Sequence, residues 1–186
     1  DPLLALQAYG TLLGNEAGQG VSWPARMLLP LMRPLLHRHD HIGRAFARGL
    51  HFDARDLSWA LQQRDELLRC LELFLQQYDA WLVPVSATAA FEHVPVHPSR
   101  PPPLLSVDGE PVPYFTATIA LTAIFSLLGV PVVSLPAGRS SAGLPIGVQL
   151  VGRKWRDEAL LDVAATLDEV LPGFAAPPGF CVNLDR

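Results

Sequence analysis

Between Glu110 and Arg139 the chain carries no charged residue, and "IALTAIFSLLGVPVV" inside that interval has the hydropathy of a membrane span. Gly129 and Pro131 divide it. A glycine after the last apolar turn and a proline two residues later are helix-stop signals, so the interval predicts a helix over about 115–128 and a β-branched strand over 130–136. That helix is too short to cross a bilayer, so no membrane span is expected. Apolar nearly all round, it has to be buried by the rest of the fold. The composition supplies a core to bury it: 186 residues, 49% hydrophobic and 17% charged.

The flanking elements follow from periodicity. Residues 2–14 read as a short helix, and 24–50 as one or two more, broken near Pro30 and Pro34 and ending around Gly49. Over 57–77, Leu57, Leu61, Leu68, Leu71, Phe74 and Leu75 recur at helical spacing, with Asp56 available as cap. Arg64 falls on that stripe, so its guanidinium must be paired there or snorkel to solvent; it is taken as buried and paired. "AWLVPV" (80–85), after Asp79 and with Pro84 near its end, suits a buried strand. Residues 86–113 hold seven of the eighteen prolines and read as a long extended loop. A strand at 146–151 and a helix at 157–171, capped by Asp157, complete the chain. The expected class is α/β, a mixed β-sheet flanked by helices, with residues 1–186 forming a single domain or a fragment of one.

Function classes narrow next. A net charge of −4 and scattered arginines argue against a nucleic-acid partner. Cys70 and Cys181, far apart, match neither a disulfide scaffold nor a metal site and fit a reducing cytoplasm. His37 and His41 stand four apart in "HRHDH", but no further ligand cluster accompanies them, so no metal is expected. Asp65, Glu66, Glu72, Asp168 and Glu169 fall on helices and read as solvated faces. "GRSSAG" joins two β-like runs as a hairpin loop, with Ser140 and Ser141 at its tip and Lys154, the single lysine, beyond the second strand. At roughly 3.3 Å per residue that strand separates them by about 20 Å, too far for proton transfer.

Thr118, Thr122 and Ser126 are spaced by four and share one helical face. Their hydroxyls can bond back to carbonyls of their own helix, or they can line a substrate pocket.

"LLGVPVVSLPAG", then "GLPIGVQLVGR" and a helix beginning "RDEALL", strongly resembles the carboxy-terminal part of the amidase signature family of serine hydrolases. "RDELLRCLELFLQQYDAWLVPV" is similar to that family's preceding helix and strand, with Arg64, Asp79 and Pro84 in matching places. The resemblance runs from about residue 40 onward and is most specific over 127–152, with Gly129, Pro131, Gly147 and Gln149 as expected structural positions. It implies carboxamide hydrolysis by a serine, a second serine and a lysine, with a glycine-rich oxyanion hole and neither metal nor cofactor. Those parts belong to the family's amino-terminal half, so no catalytic residue carries over to this chain. The resemblance places Thr118, Thr122 and Ser126 beside the acyl pocket; the family commonly has Asn where Ser126 stands. Three functions remain open. The chain can be the scaffold and pocket wall of an amide hydrolase whose catalytic half lies elsewhere, with a small amide as substrate and that half, or its own copies, as partner. It can also be a non-catalytic amide-binding or accessory subunit, or a transamidation subunit that works with tRNA.

Overall fold

The computed structural model describes residues 1–28, 36, 38–51, 53–94 and 102–176. Helix α1 (Pro2–Gln19) opens on Asp1, whose carboxylate accepts from the Leu3 N–H at 2.9 Å, with Pro2 pre-set at the first helical position. It runs five residues past the expected end, because Gly10, Gly14 and Gly18 continue the helix instead of stopping it. The stretch expected as helix over 24–50 holds α2 (Trp23–Leu28) and α3 (His41–Gly49). Pro30 and Pro34 lie outside the described residues. Asp40 caps α3 through the Gly43 N–H at 2.8 Å.

The longest helix, α4 (Ala54–Phe74), is capped by Asp53, which accepts from the Arg55 N–H at 2.7 Å; Asp56 sits in the first turn and favours it only as a negative charge. The short strand β1 (Trp81–Pro84) follows, with Trp81, Leu82 and Pro84 exposed, so it is not the buried strand its apolar run suggests. The expected extended loop over 86–113 needs correction. Its last ten residues form a hairpin, β2 (Leu104–Val107) with β3 (Glu110–Pro113), paired Leu104 with Pro113 through Val107 with Glu110. The two-residue turn is Asp108-Gly109, at φ 51° and 88°, the left-handed pair that Asp-Gly accommodates.

Helix α5 (Tyr114–Leu128) ends on Gly129, at φ 62° and ψ 41°, whose N–H donates to the Phe125 carbonyl. This is the left-handed cap the sequence signalled. Strand β4 (Val132–Arg139) starts later and runs further than expected, and β5 (Pro145–Val151) returns antiparallel to it. Helix α6 (Asp157–Asp168) closes the described fold, with Asp157 in its first turn and no side-chain cap.

The main sheet has the order β1-β5-β4, antiparallel throughout, with β5 in the middle. Alternation along β5 sends neighbouring side chains to opposite layers. Leu150 packs with Leu160 and Ala164 of α6, whereas Val151 joins Phe125, Leu127 and Leu128 of α5 and Leu71 of α4. The expected α/β architecture is therefore present, with helices on both sheet faces.

A second contact has a different basis. Gly10, Gly14 and Gly18 form one ridge of α1 against α3, and a Cβ on Gly10 would stand 2.5 Å from the Ile42 carbonyl oxygen, one on Gly18 2.8 Å from that of Leu50. Gly49 answers from α3, with no room for a Cβ beside the Thr11 carbonyl. The two backbones meet where side chains would normally separate them.

Candidate functional site

Helix α5 carries the candidate pocket face, and Gln149 fixes where that helix lies. The Gln149 side chain is 2% exposed, and its Nε2 donates to the Pro84 carbonyl at 2.9 Å and the Leu121 carbonyl at 3.1 Å. One amide thus ties the middle strand to the edge strand and to α5. Both of its N–H groups are used, which keeps a buried polar group satisfied. Beside it, Gly147 sits opposite Pro136 and accepts from the Val85 N–H, while the Pro131 carbonyl accepts from the Gly152 N–H at 3.0 Å.

The hydroxyl face is partly engaged within the helix. Thr118 donates to the Tyr114 carbonyl at 2.8 Å and Thr122 to the Ile119 carbonyl at 3.1 Å. Ser126, one turn on, is exposed. Near this face the chain leaving β1 lies along α5: Ser86 Oγ donates to the Ala117 carbonyl at 3.5 Å, and Phe91 meets Tyr114 edge-on at 6.1 Å. The hydroxyls of Thr88 and Thr116 are buried without a hydrogen-bond partner among the described residues. Neither stands out in the sequence; the one signal near Thr88 is a run of small and hydroxyl residues directly after a strand, "SATAA".

The serines and the lysine of the β4–β5 region stay apart. Ser140 is a turn residue: its N–H donates to the Leu144 carbonyl at 2.8 Å, and its Oγ accepts from the Leu144 N–H at 3.2 Å. The register pairs Arg139 with Pro145 beside that turn and Val132 with Val151 at the far end, where Lys154 follows. The Lys154 N–H donates to Glu72 Oε1 at 2.9 Å, and Glu72 Oε2 accepts from Arg153 at 3.3 Å. Glu72 is therefore an anchor for the turn after β5, not the solvated acid expected from sequence.

Arg64 is also corrected. It stands on the stripe between Ala60 and Leu71, yet its guanidinium leaves the core, 38% exposed, and pairs with neighbouring Asp65 at 2.8 Å. The long aliphatic stem allows this escape. Asp79 lies in the turn before β1, exposed at the rim of a cavity. Among the carboxylates, Glu66 is held below its usual range by its hydrogen bond from Arg69, on an exposed face of α4.

Among the described residues no cluster of three or more His, Cys, Asp or Glu could hold a metal ion, and no helix is long and apolar enough to cross a membrane. His37 and Cys181 lie outside the described residues.

The amidase family profile matches residues 21–161, more than half of the chain, and the chain belongs to that family, corresponding to its carboxy-terminal part. A solved amidase superimposes with a TM-score of 0.64 at 26% identity, over 90% of this chain and 35% of that one. A glutamyl-tRNA(Gln) amidotransferase subunit of Roseobacter denitrificans is 34% identical over 106 residues, 57% of this chain and 19% of the relative. The 6-aminohexanoate-cyclic-dimer hydrolase of a Pseudomonas species is 48% identical over 60 residues, 32% of this chain and 12% of the relative. The matched stretches are thus a fifth or less of these relatives' length.

Proposed function

We propose that this chain is the scaffold and one pocket wall of an amide hydrolase whose Ser-Ser-Lys set is carried by another segment. The observation that carries this reading is the separation of Ser140 and Ser141 from Lys154 by the full length of β5, seven residues. At about 3.3 Å per residue no proton passes between them. Family membership supplies the reaction class, and the chain's own contribution is shape. Thr118, Thr122 and Ser126 on α5, held by Gln149, face the acyl group of a small carboxamide, in a soluble, cytoplasmic setting.

The uncovered surfaces favour a partner. Edge strand β1 presents Trp81 and Leu82, 42% and 50% exposed. Beside it an apolar groove of about 310 Å³ runs between Pro2, Leu71, Phe74, Trp81, Phe125 and Leu128. Unpaired strand edges and exposed apolar patches recruit other chains. The occupant we propose is the catalytic segment, with self-association when that segment is absent.

The test is reconstitution with an amino-terminal segment of a related amidase. Turnover is expected from the mixture, and Ser126→Leu is expected to raise KM or lower kcat for bulky amides more than for small ones. Equal effects on both would remove Ser126 from the pocket. A second reading, in which the chain serves transamidation, is favoured by the likeness to the Roseobacter amidotransferase. Transfer of ammonia to a charged tRNA by the same mixture would select it over simple hydrolysis.

A further inference from the structure

At the end of the sheet away from the hairpin turn, a cavity of about 310 Å³ opens between the chain leaving α4 and the turn entering α6. Gln77, Tyr78 and Asp79 line one side, and Gly152, Arg153 and Arg156 the other. It holds polar groups where the groove beside β1 holds apolar ones. Asp79 and Arg156, both exposed, are among its lining residues, and among the described residues neither side chain has a hydrogen-bond or ion-pair partner, including each other.

The turn that carries Arg156 is held in one conformation. Glu72 grips it twice, through Arg153 and through the Lys154 N–H, and the Arg156 N–H closes it on the Arg153 carbonyl at 3.1 Å. Trp155 between them has φ 62° and is 85% exposed. A bulky residue keeps a left-handed backbone only where its surroundings over-determine it, and such strain clusters at ligand sites. The indole does not pack into the core; it lies in solvent, with the Lys154 ammonium 5.6 Å from its ring centroid.

We propose that this cavity binds a small zwitterion, a molecule with one carboxylate and one ammonium group such as a free amino acid. Arg156 receives the carboxylate, for which the guanidinium fork is matched. Asp79 receives the ammonium, and the side chains of Gln77 and Tyr78 offer further donors and acceptors. The volume, about 310 Å³, is at the lower end of small-ligand cavities. A ligand with a single charge would leave one of the two groups unpaired. The site stands on its own geometry and does not depend on the hydrolase reading.

Equilibrium dialysis of the 186-residue chain against labelled L-glutamine and 6-aminohexanoate, with acetate and methylammonium as single-charge controls, tests it whatever the chain's association state. Saturable binding of at least one zwitterion is expected, weakened tenfold or more by Arg156→Gln and by Asp79→Asn and changed less than twofold by Lys154→Gln. Both target side chains are exposed, and Arg156→Gln carries the test alone should circular dichroism show Asp79→Asn to be misfolded. The proposal is overturned if neither zwitterion saturates at millimolar concentration, if acetate or methylammonium binds as tightly, or if Arg156→Gln binds like the parent chain.

Discussion

Two contacts of the helices work by opposite means. Helix α1 meets α3 through bare backbone, with Gly10, Gly14 and Gly18 on one side and Gly49 on the other. Helix α5 meets the sheet through large apolar side chains and one buried amide, Gln149. The first contact tolerates no added atom; the second tolerates changes of shape but not the loss of its hydrogen bonds. Steric exclusion therefore governs one region and polar satisfaction the other.

The largest expected effect tests the steric side. Gly14→Ala puts a methyl group onto the Phe46 carbonyl, which belongs to a helix backbone and cannot move aside cheaply. A loss of about 3 kcal/mol is expected, at the upper end of overpacking costs, read by urea denaturation. A change under about 0.5 kcal/mol would mean that α1 and α3 are further apart than described.

Next comes the polar side. Gln149→Leu keeps the volume but leaves the Pro84 carbonyl without its donor, and a cost of about 2 kcal/mol is expected from denaturant midpoints. Gln149→Glu is expected to cost more, because an ionised carboxylate would face two carbonyl oxygens. A neutral Gln149→Leu would show that water replaces the amide and that the contact is apolar in its energetics.

These contacts were unequally legible. Helix α5, its Gly129 cap and the β4–β5 hairpin were visible because their signals are local: an uncharged run, a glycine and a proline at set distances, two strands around a small polar loop. The β2–β3 hairpin was hidden by its own prolines, although Asp108-Gly109 between alternating residues marked the turn. The α1–α3 contact has a sequence trace, glycines every four residues, but such glycines also read as helix breakers until the partner helix is known. At the candidate site, Thr118, Thr122 and Ser126 could be placed on one face by counting. Nothing local shows that Gln149 reaches Pro84, 65 residues away.

A smaller effect sharpens the same contrast. Arg64, expected to be buried from its place on the α4 stripe, reaches solvent and pairs with Asp65. Arg64→Ala should therefore cost less than about 1 kcal/mol, as exposed ion pairs do. A loss of about 3 kcal/mol or more would restore the buried pairing expected from the stripe. The depressed carboxyl of exposed Glu66 should matter least. Its folded-state value lies below the unfolded one, so any contribution is present above the usual carboxylate range and lost as pH falls through the lowered value. Glu66→Gln should leave the stability–pH profile within experimental scatter.

The central claim is that this chain shapes an amide-hydrolysing site without performing its chemistry. The direct measurement is turnover of a panel of primary and aryl amides by the purified chain alone, beside a variant carrying Ser140→Ala and Ser141→Ala. No hydrolysis above background is expected from either protein, and when an amino-terminal segment restores activity the double variant should keep turnover within a few-fold of the parent. Hydrolysis by the chain alone, reduced on the order of 10³-fold in the double variant, would contradict it.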